Sequence, residues 1–170
     1  MTDHSDADLE THIREFLKAL DQRPDELIQQ HMTQIQNPDP GNMEDLRRYV
    51  RDLKRVYGQG LEDMYGRIAA HGRDICTLTD DTEITGRVEK MMALVAKDAK
   101  DVPRVLASFD DAANEMNLAA IMRLLQTVLG AGAREMPRQL QLDELMVDFT
   151  TYCLMRFPPA DPEVLAADDD

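Results

Sequence analysis

The sequence predicts an all-α fold in which six or seven amphipathic helices form one domain. Leucine, methionine and alanine dominate its apolar residues, whereas tryptophan is absent and phenylalanine and tyrosine number four each. This composition favours helices over sheets. Apolar residues also recur every three or four positions, which is the spacing of a helix face. With 170 residues, of which 43% are hydrophobic, the chain suffices for one core, and a bundle-like or orthogonally packed arrangement is expected.

The domain boundaries are predicted from composition. Residues 1–5 are polar and are expected to form a flexible N-terminus, residues 6–157 carry the helical pattern, and residues 158–170 are proline-rich and then acidic. A segment of that last composition buries little apolar surface, so residues 158–170 are expected to form a disordered tail. Within this tail, Val164 and Leu165 are the apolar pair that could dock on a partner or on the domain itself.

The first two helices are predicted from apolar stripes and from their caps. The segment "SDADLETHIREFLKAL" predicts a helix from about residue 6 to residue 20, with Ser5 and Asp8 as a capping box. Pro24 suits the first turn of a second helix, whose stripe ends before "NPDPGN". That proline-rich segment is predicted to be a loop.

The third predicted helix, from about residue 43 to residue 76, contains the glycine-rich stretch "RVYGQGLEDMYGRIAAHG". Asn42 is a suitable N-cap, and the apolar spacing keeps its phase across the glycines. A dinucleotide-binding loop would follow a strand, and Asp63 replaces the third glycine of its pattern, so that interpretation is rejected. On the helical projection Gly60 lies on the apolar side and could admit a close neighbour, while a hinge near residues 58 to 60 is the alternative.

The second half of the chain predicts further helices. The next stripe indicates a fourth helix that ends near residue 100, and Pro103 is expected to open a fifth. The stripe then changes face at "NEMN", which favours a break with Asn117 as the N-cap of a sixth helix. The segment "GAGAREMPRQ" is interpreted as a connector. A final stripe begins at Leu142, and its helix is predicted to end before Pro158.

No catalytic or cofactor-binding signature is present, so neither an enzyme nor a bound cofactor is expected. None of the four histidines follows a glutamate by three positions, which is the pairing that di-iron helical bundles use. No metal ligand is assigned, although a site assembled from distant helices is left open. Cys76 is the best nucleophile candidate because His71 is near in sequence, but on one helix their spacing points the side chains apart. Cys76 and Cys153 lie among apolar residues and have no CxxC context, so they are expected to be buried free thiols of a reducing compartment, with a disulfide between them as the alternative.

The chain is strongly acidic, with 19 basic and 33 acidic residues and a formal net charge of −14. This balance argues against direct nucleic-acid binding and against anionic membranes, and it would attract a partner protein with a basic surface. Solubility is the favoured explanation of the acidic surface. No apolar run reaches the roughly 18 residues of a membrane span, and the N-terminus lacks the pattern of a secretory signal. A cytoplasmic protein is therefore expected.

One local feature opposes the overall charge. Five basic side chains share the polar side of the third predicted helix and form a basic ridge: Arg47, Arg48, Arg51, Lys54 and Arg55. This ridge could bind an acidic peptide, phosphate groups or nucleic acid. The favoured interpretation is that the ridge pairs with the protein's own carboxylates, within one chain or across a homodimer.

These observations together predict a non-enzymatic interaction protein, such as an adaptor, a regulator or an inhibitor of another macromolecule. The 11 methionines mostly suit a core, and a pliable groove for a partner helix is their functional alternative. Homo-oligomerisation is expected as well. Two alternatives stay open: an acidic nucleic-acid mimic that blocks a DNA- or RNA-binding protein, and a helical enzyme or metal-binding protein whose site comes from distant residues.

Overall fold

The structure, a computed structural model, describes residues 3–23, 26, 29–30, 32–131 and 136–158. These residues form helices and no strand, which confirms the all-α prediction. They include five α-helices, fewer than the six or seven predicted: α1 (Asp3–Asp21), α2 (Met43–Leu78), α3 (Thr82–Glu115), α4 (Leu118–Leu125) and α5 (Met136–Arg156). A 3-10 turn spans Met32–Gln34, and a π-helical segment, Gln126–Ala131, extends α4. The second predicted helix falls largely outside the described residues.

The helices α1, α2, α3 and α5 pack as an antiparallel bundle. Two contacts between each pair of neighbouring helices fix their relative directions. Between α1 and α2 these are Gln22 with Arg67 and His12 with Asp74. Between α2 and α3 they are Lys54 with Asp110 and Gly72 with Met92, and between α3 and α5 they are Arg87 with Asp148 and Arg138 with Asp98. In each pair the residue numbers rise on one helix as they fall on the other. The short α4 and its π-helical extension also pack on α3. None of the described helices has the length and apolar content required to cross a membrane.

The core takes one large aromatic side chain from each helix of the bundle. Phe16 of α1, Tyr57 of α2, Phe109 of α3 and Phe149 of α5 are all buried. The rings of Tyr57 and Phe109 lie 5.5 Å apart between centroids in a tilted arrangement, which adds a favourable aromatic contact to the burial of apolar area. The stripes predicted from the sequence therefore face a common core.

The helix α2 runs unbroken through its glycines. Asn42 caps it as predicted, because its side chain accepts hydrogen bonds from backbone N–H groups of the first turn. Gly60 is buried, in agreement with its predicted place on the apolar side. A close helix contact lies at Gly72, where a β-carbon would overlap the side chain of Met92 on α3. No break occurs at residues 58 to 60, where the alternative interpretation placed a hinge.

The helix α3 passes through Pro103, where the sequence analysis wrongly began a new helix. A proline removes one backbone hydrogen bond and costs roughly 3 kcal/mol in a helix interior. The apolar positions nevertheless keep one phase, since Val95 before it and Val105 and Phe109 after it are all buried. Burial on both sides of Pro103 outweighs the local cost. Because Pro103 is exposed, water can satisfy the carbonyl group that loses its partner.

The predicted break between α3 and α4 is present in the structure. Met116 has a positive φ of 45°, which is left-handed and cannot continue the helix. The side chain of Asn117 then accepts a hydrogen bond from the backbone N–H of Ala120 at 2.8 Å, as the predicted N-cap requires.

Two helices begin earlier than predicted. The helix α1 begins at Asp3, so residues 3 to 5 of the predicted flexible N-terminus are helical; an acidic residue is favourable at that end of a helix. The helix α5 begins at Met136, inside the predicted connector, because Pro137 suits a first turn. The predicted acidic tail, from residue 159 onward, lies outside the described residues.

Candidate functional site

The helix α5 is apolar on two opposite sides. Its inner side packs into the core through Leu142 and Phe149, which are fully buried. Its outer side presents Leu140, Val147 and Leu154, which are 58%, 67% and 58% exposed. Positions 140 and 147 precede the inner residues by two, and two positions turn a helix by about 200°. We call Leu140, Val147 and Leu154 the outer stripe.

The outer stripe has the spacing of a helix–helix contact. Its members recur every seven residues, as apolar residues do along the seam between two packed helices. A helix whose outer side meets only water normally carries polar residues there. Exposed apolar side chains that share one side of a helix, with polar residues between them, are instead typical of a binding surface.

An apolar crevice adjoins the outer stripe between α1 and α5. It has a volume of about 210 Å³. Its apolar lining comes from Ile13 and Leu17 of α1, from Cys153 and Leu154 of α5 and from Phe157 directly after α5. Leu154 belongs both to the crevice and to the outer stripe, so the two meet at this residue.

The C-terminal half of α5 is fixed to α3 by a polar network. The hydroxyl of Tyr152 donates a hydrogen bond to Asp81 at 2.8 Å, and Arg87 pairs with Asp148 at 2.8 Å. The Arg87 guanidinium also lies 4.6 Å from the centre of the Tyr152 ring, a favourable cation–π geometry. Partial burial acts to raise the pKa of Asp81, but hydrogen bonds from Tyr152 and from the backbone outweigh it and lower that pKa. The outer stripe is thus displayed on a helix held in place by specific contacts.

The basic ridge is largely engaged within the chain. Its ion pairs with carboxylates are those of Arg47 and Arg51 with Glu44, Arg48 with Asp45 and Asp52, and Lys54 with Asp110. The backbone N–H of Asp39 and the Arg48 side chain lower the pKa of Asp45. Arg55 is exposed. This arrangement agrees with the favoured interpretation of self-pairing, whereas the other candidate partner-binding residues, Val164 and Leu165, lie outside the described residues.

Both cysteines are free and are unfavourable as nucleophiles. Burial, together with the nearby Glu89 carboxylate, raises the pKa of the Cys76 thiol. Burial also raises the pKa of Cys153 to about 11. The thiolate is the nucleophilic form, so these environments favour structural thiols over catalytic ones. Both side chains are half-buried rather than fully buried as the sequence analysis expected.

Native Cys153 is expected to react slowly with iodoacetamide. The pKa of its thiol rises from an ordinary 9.0 to about 11 in the folded protein, so near pH 8 its thiolate fraction is roughly a hundredfold lower than in the unfolded chain. The native rate should therefore climb as the pH rises from 9 to 11. Timed alkylation followed by peptide mass spectrometry, in buffer and in concentrated guanidinium chloride, measures the ratio. Equal rates in the two conditions near pH 8 would contradict the raised pKa.

The structure also brings together two histidines that are far apart in the sequence. His12 of α1 and His71 of α2 approach within 3.1 Å through their Nδ1 atoms, and Asp74 lies beside them. Sequence reasoning missed this cluster because it tested only for pairs on one helix. The available signal was weaker: His71 and Asp74 share one face of α2 at a spacing of three residues, and His12 precedes the buried Ile13.

Two features of the described residues are therefore candidate binding sites, because each has solvent-exposed side chains on packed helices. One is the outer stripe of α5 with its adjoining crevice, and the other is the cluster of His12, His71 and Asp74 between α1 and α2. No protein-family model matches the chain, and neither the curated proteins nor the solved structures contain a match to it.

Proposed function

We propose that this is a non-enzymatic interaction protein whose docking surface is the outer stripe of α5 together with the crevice beside α1. The observation that carries the proposal is the exposure of Leu140, Val147 and Leu154 on a helix whose opposite side is already buried in the core. Covering these side chains removes apolar area from water, which favours association.

The geometry of the stripe favours a helix as the occupant. From Leu140 to Leu154 the stripe spans about 21 Å along the α5 axis and turns around it by only about 40°. A partner helix with apolar residues at the same seven-residue spacing can lie along it. The crevice that includes Leu154 can then receive one apolar side chain of that helix. A single helix face buries less than the roughly 1,200 Å² of a stable interface, so we expect a transient complex.

The charge of the surface favours a basic partner over a second copy of this chain. Asp143 and Glu144 are exposed and lie between Leu140 and Val147 along the stripe. A partner helix with lysine or arginine beside its apolar face would place cations next to these carboxylates. A second copy would instead bring the same net charge of −14, which opposes its approach at low ionic strength.

A labelled synthetic peptide tests this proposal. The probe is an amphipathic helix as long as α5, with leucines every seven residues and lysines beside them, and binding is measured by fluorescence anisotropy. We expect the double substitution Val147→Ser and Leu154→Ser to weaken binding at least tenfold, because it removes the apolar contacts while leaving the net charge unchanged. The matched control is Met43→Ser, which changes an exposed apolar residue on α2 and should leave binding unchanged.

Two outcomes would overturn the proposal. Equal binding by the wild type and the double variant would show that the peptide follows the general acidity of the protein rather than the stripe. A wild-type dimer in analytical ultracentrifugation that Val147→Ser converts to a monomer would show that a second copy covers the stripe. Weaker binding of a peptide with glutamates in place of the lysines would support the basic occupant.

A further inference from the structure

The cluster between α1 and α2 has the donor set of a metal site. His12 Nδ1 and His71 Nδ1 are 3.1 Å apart, and His12 Nδ1 lies 3.6 Å from Asp74 Oδ2. Potential ligand atoms of all three side chains lie within 4.8 Å of one another. Two imidazole nitrogens and one carboxylate oxygen are donors that divalent first-row metals accept, and zinc is bound by such sets in proteins.

The separations are compatible with donors that share one ion, and the 3.1 Å separation of the two Nδ1 atoms also suits a hydrogen bond. With metal–ligand distances of about 2.0 to 2.1 Å, neighbouring donors of a tetrahedral site lie about 3.3 to 3.4 Å apart. The two measured separations, 3.1 Å and 3.6 Å, bracket that value. The 3.6 Å separation between His12 and Asp74 is too long for a hydrogen bond. Small side-chain movements would bring all three donors onto one ion.

We propose that His12, His71 and Asp74 bind one zinc ion and leave its fourth coordination position to water. Such an open position distinguishes three-ligand sites from closed structural sites with four protein ligands. The bound ion would also link α1 to α2, because His12 comes from one helix and the other two ligands from the next. Metal binding should therefore stabilise the folded protein.

The surroundings allow an ion to enter from solvent. The side chains of His12 and Asp74 are 30% and 55% exposed. His71 also lines a crevice of about 410 Å³, whose charged lining consists of Glu15, Lys18, Asp21, Glu26 and Arg67. Carboxylates outnumber basic groups in that lining, and the chain as a whole carries a charge of −14, so the local field favours a cation.

Calorimetric titration of the full chain with zinc chloride tests the site. We expect one ion per chain, and at least tenfold weaker binding in each of the variants His12→Gln and Asp74→Asn. These two positions are partly exposed, so both variants should keep the wild-type circular dichroism spectrum. Zinc should raise the Tm of the wild type and raise it less in either variant. Cobalt should give visible absorption bands of a low-coordinate site in the wild type only.

Matched controls separate this site from general attraction of cations to an acidic protein. His4→Gln removes a histidine that is eight residues, or about 12 Å, from His12 along α1, and Asp63→Asn removes an exposed carboxylate of α2. Both controls should bind zinc as the wild type does. Magnesium, which prefers oxygen ligands, should not reproduce the rise in Tm. Zinc binding that is absent, or equal in the wild type and in His12→Gln and Asp74→Asn, would overturn the proposal.

Discussion

Replacing Arg138 by methionine is expected to destabilise the protein by about 3 to 5 kcal/mol, the cost of breaking a buried ion pair by removing one partner. Asp98 of α3 is only 1% exposed, and its carboxylate meets the Arg138 guanidinium of α5 at 2.8 Å. Arg138 also contacts Asp101, one turn further along α3. Without the guanidinium, the buried Asp98 carboxylate would lose this ion pair. Urea unfolding followed by circular dichroism measures the loss.

A double variant distinguishes the net contribution of this ion pair to the free energy of unfolding from the loss caused by removing one partner. Asp98→Leu together with Arg138→Met removes both charges and leaves apolar groups in their place. Such replacements are often neutral or stabilising, so the double variant should regain most of the stability that Arg138→Met loses. A loss below about 1 kcal/mol for Arg138→Met alone would contradict the assignment of Asp98 and Arg138 as a buried, mutually dependent pair.

The sequence predicts the fold class and several helix ends because those depend on local chemistry. Asn42 and Asn117 cap helices by accepting hydrogen bonds from backbone N–H groups two or three residues away. Because these partners are close in sequence, the caps can be predicted from the sequence alone. The predicted helix end at Pro103 is absent, because tertiary burial opposes the local cost of proline on which that prediction rested. The phase of the apolar stripe indicates a helix that continues through Pro103, since Val105 and Phe109 extend the buried face that precedes it.

The candidate sites were less predictable because they depend on which helices become neighbours. Nothing in the sequence around His12 indicates that α1 will lie against the stretch of α2 that carries His71. The Asp98–Arg138 pair was missed for a similar reason, although Asp98 takes the next position in the stripe of α3 after Val95. An acidic residue at a core position is a signal that a buried basic partner exists. The sequence cannot identify that partner as Arg138, which lies in a segment interpreted as a connector.

A matched pair of truncations distinguishes the two sides of α5. Phe149→Ala is expected to cost about 3 to 5 kcal/mol, because it removes a fully buried ring and leaves a cavity in the core. Val147→Ala, two residues earlier on the outer side, should change stability by less than about 0.5 kcal/mol. Its side chain is 67% exposed, and alanine is the better helix former, so a slight stabilisation is the expected sign.

Urea unfolding at several protein concentrations measures both effects and tests what covers the outer stripe. If the stripe is free in the purified protein, the cost of Val147→Ala stays near zero at every concentration. If a second copy covers it, the wild type becomes more stable with concentration and the variant does not, because only the assembled form buries Val147. A concentration-dependent cost above about 1.5 kcal/mol would contradict the proposal of a separate basic partner and assign the outer stripe to self-association. Phe149→Ala should lose the same free energy at all concentrations, since its ring is already buried within one chain.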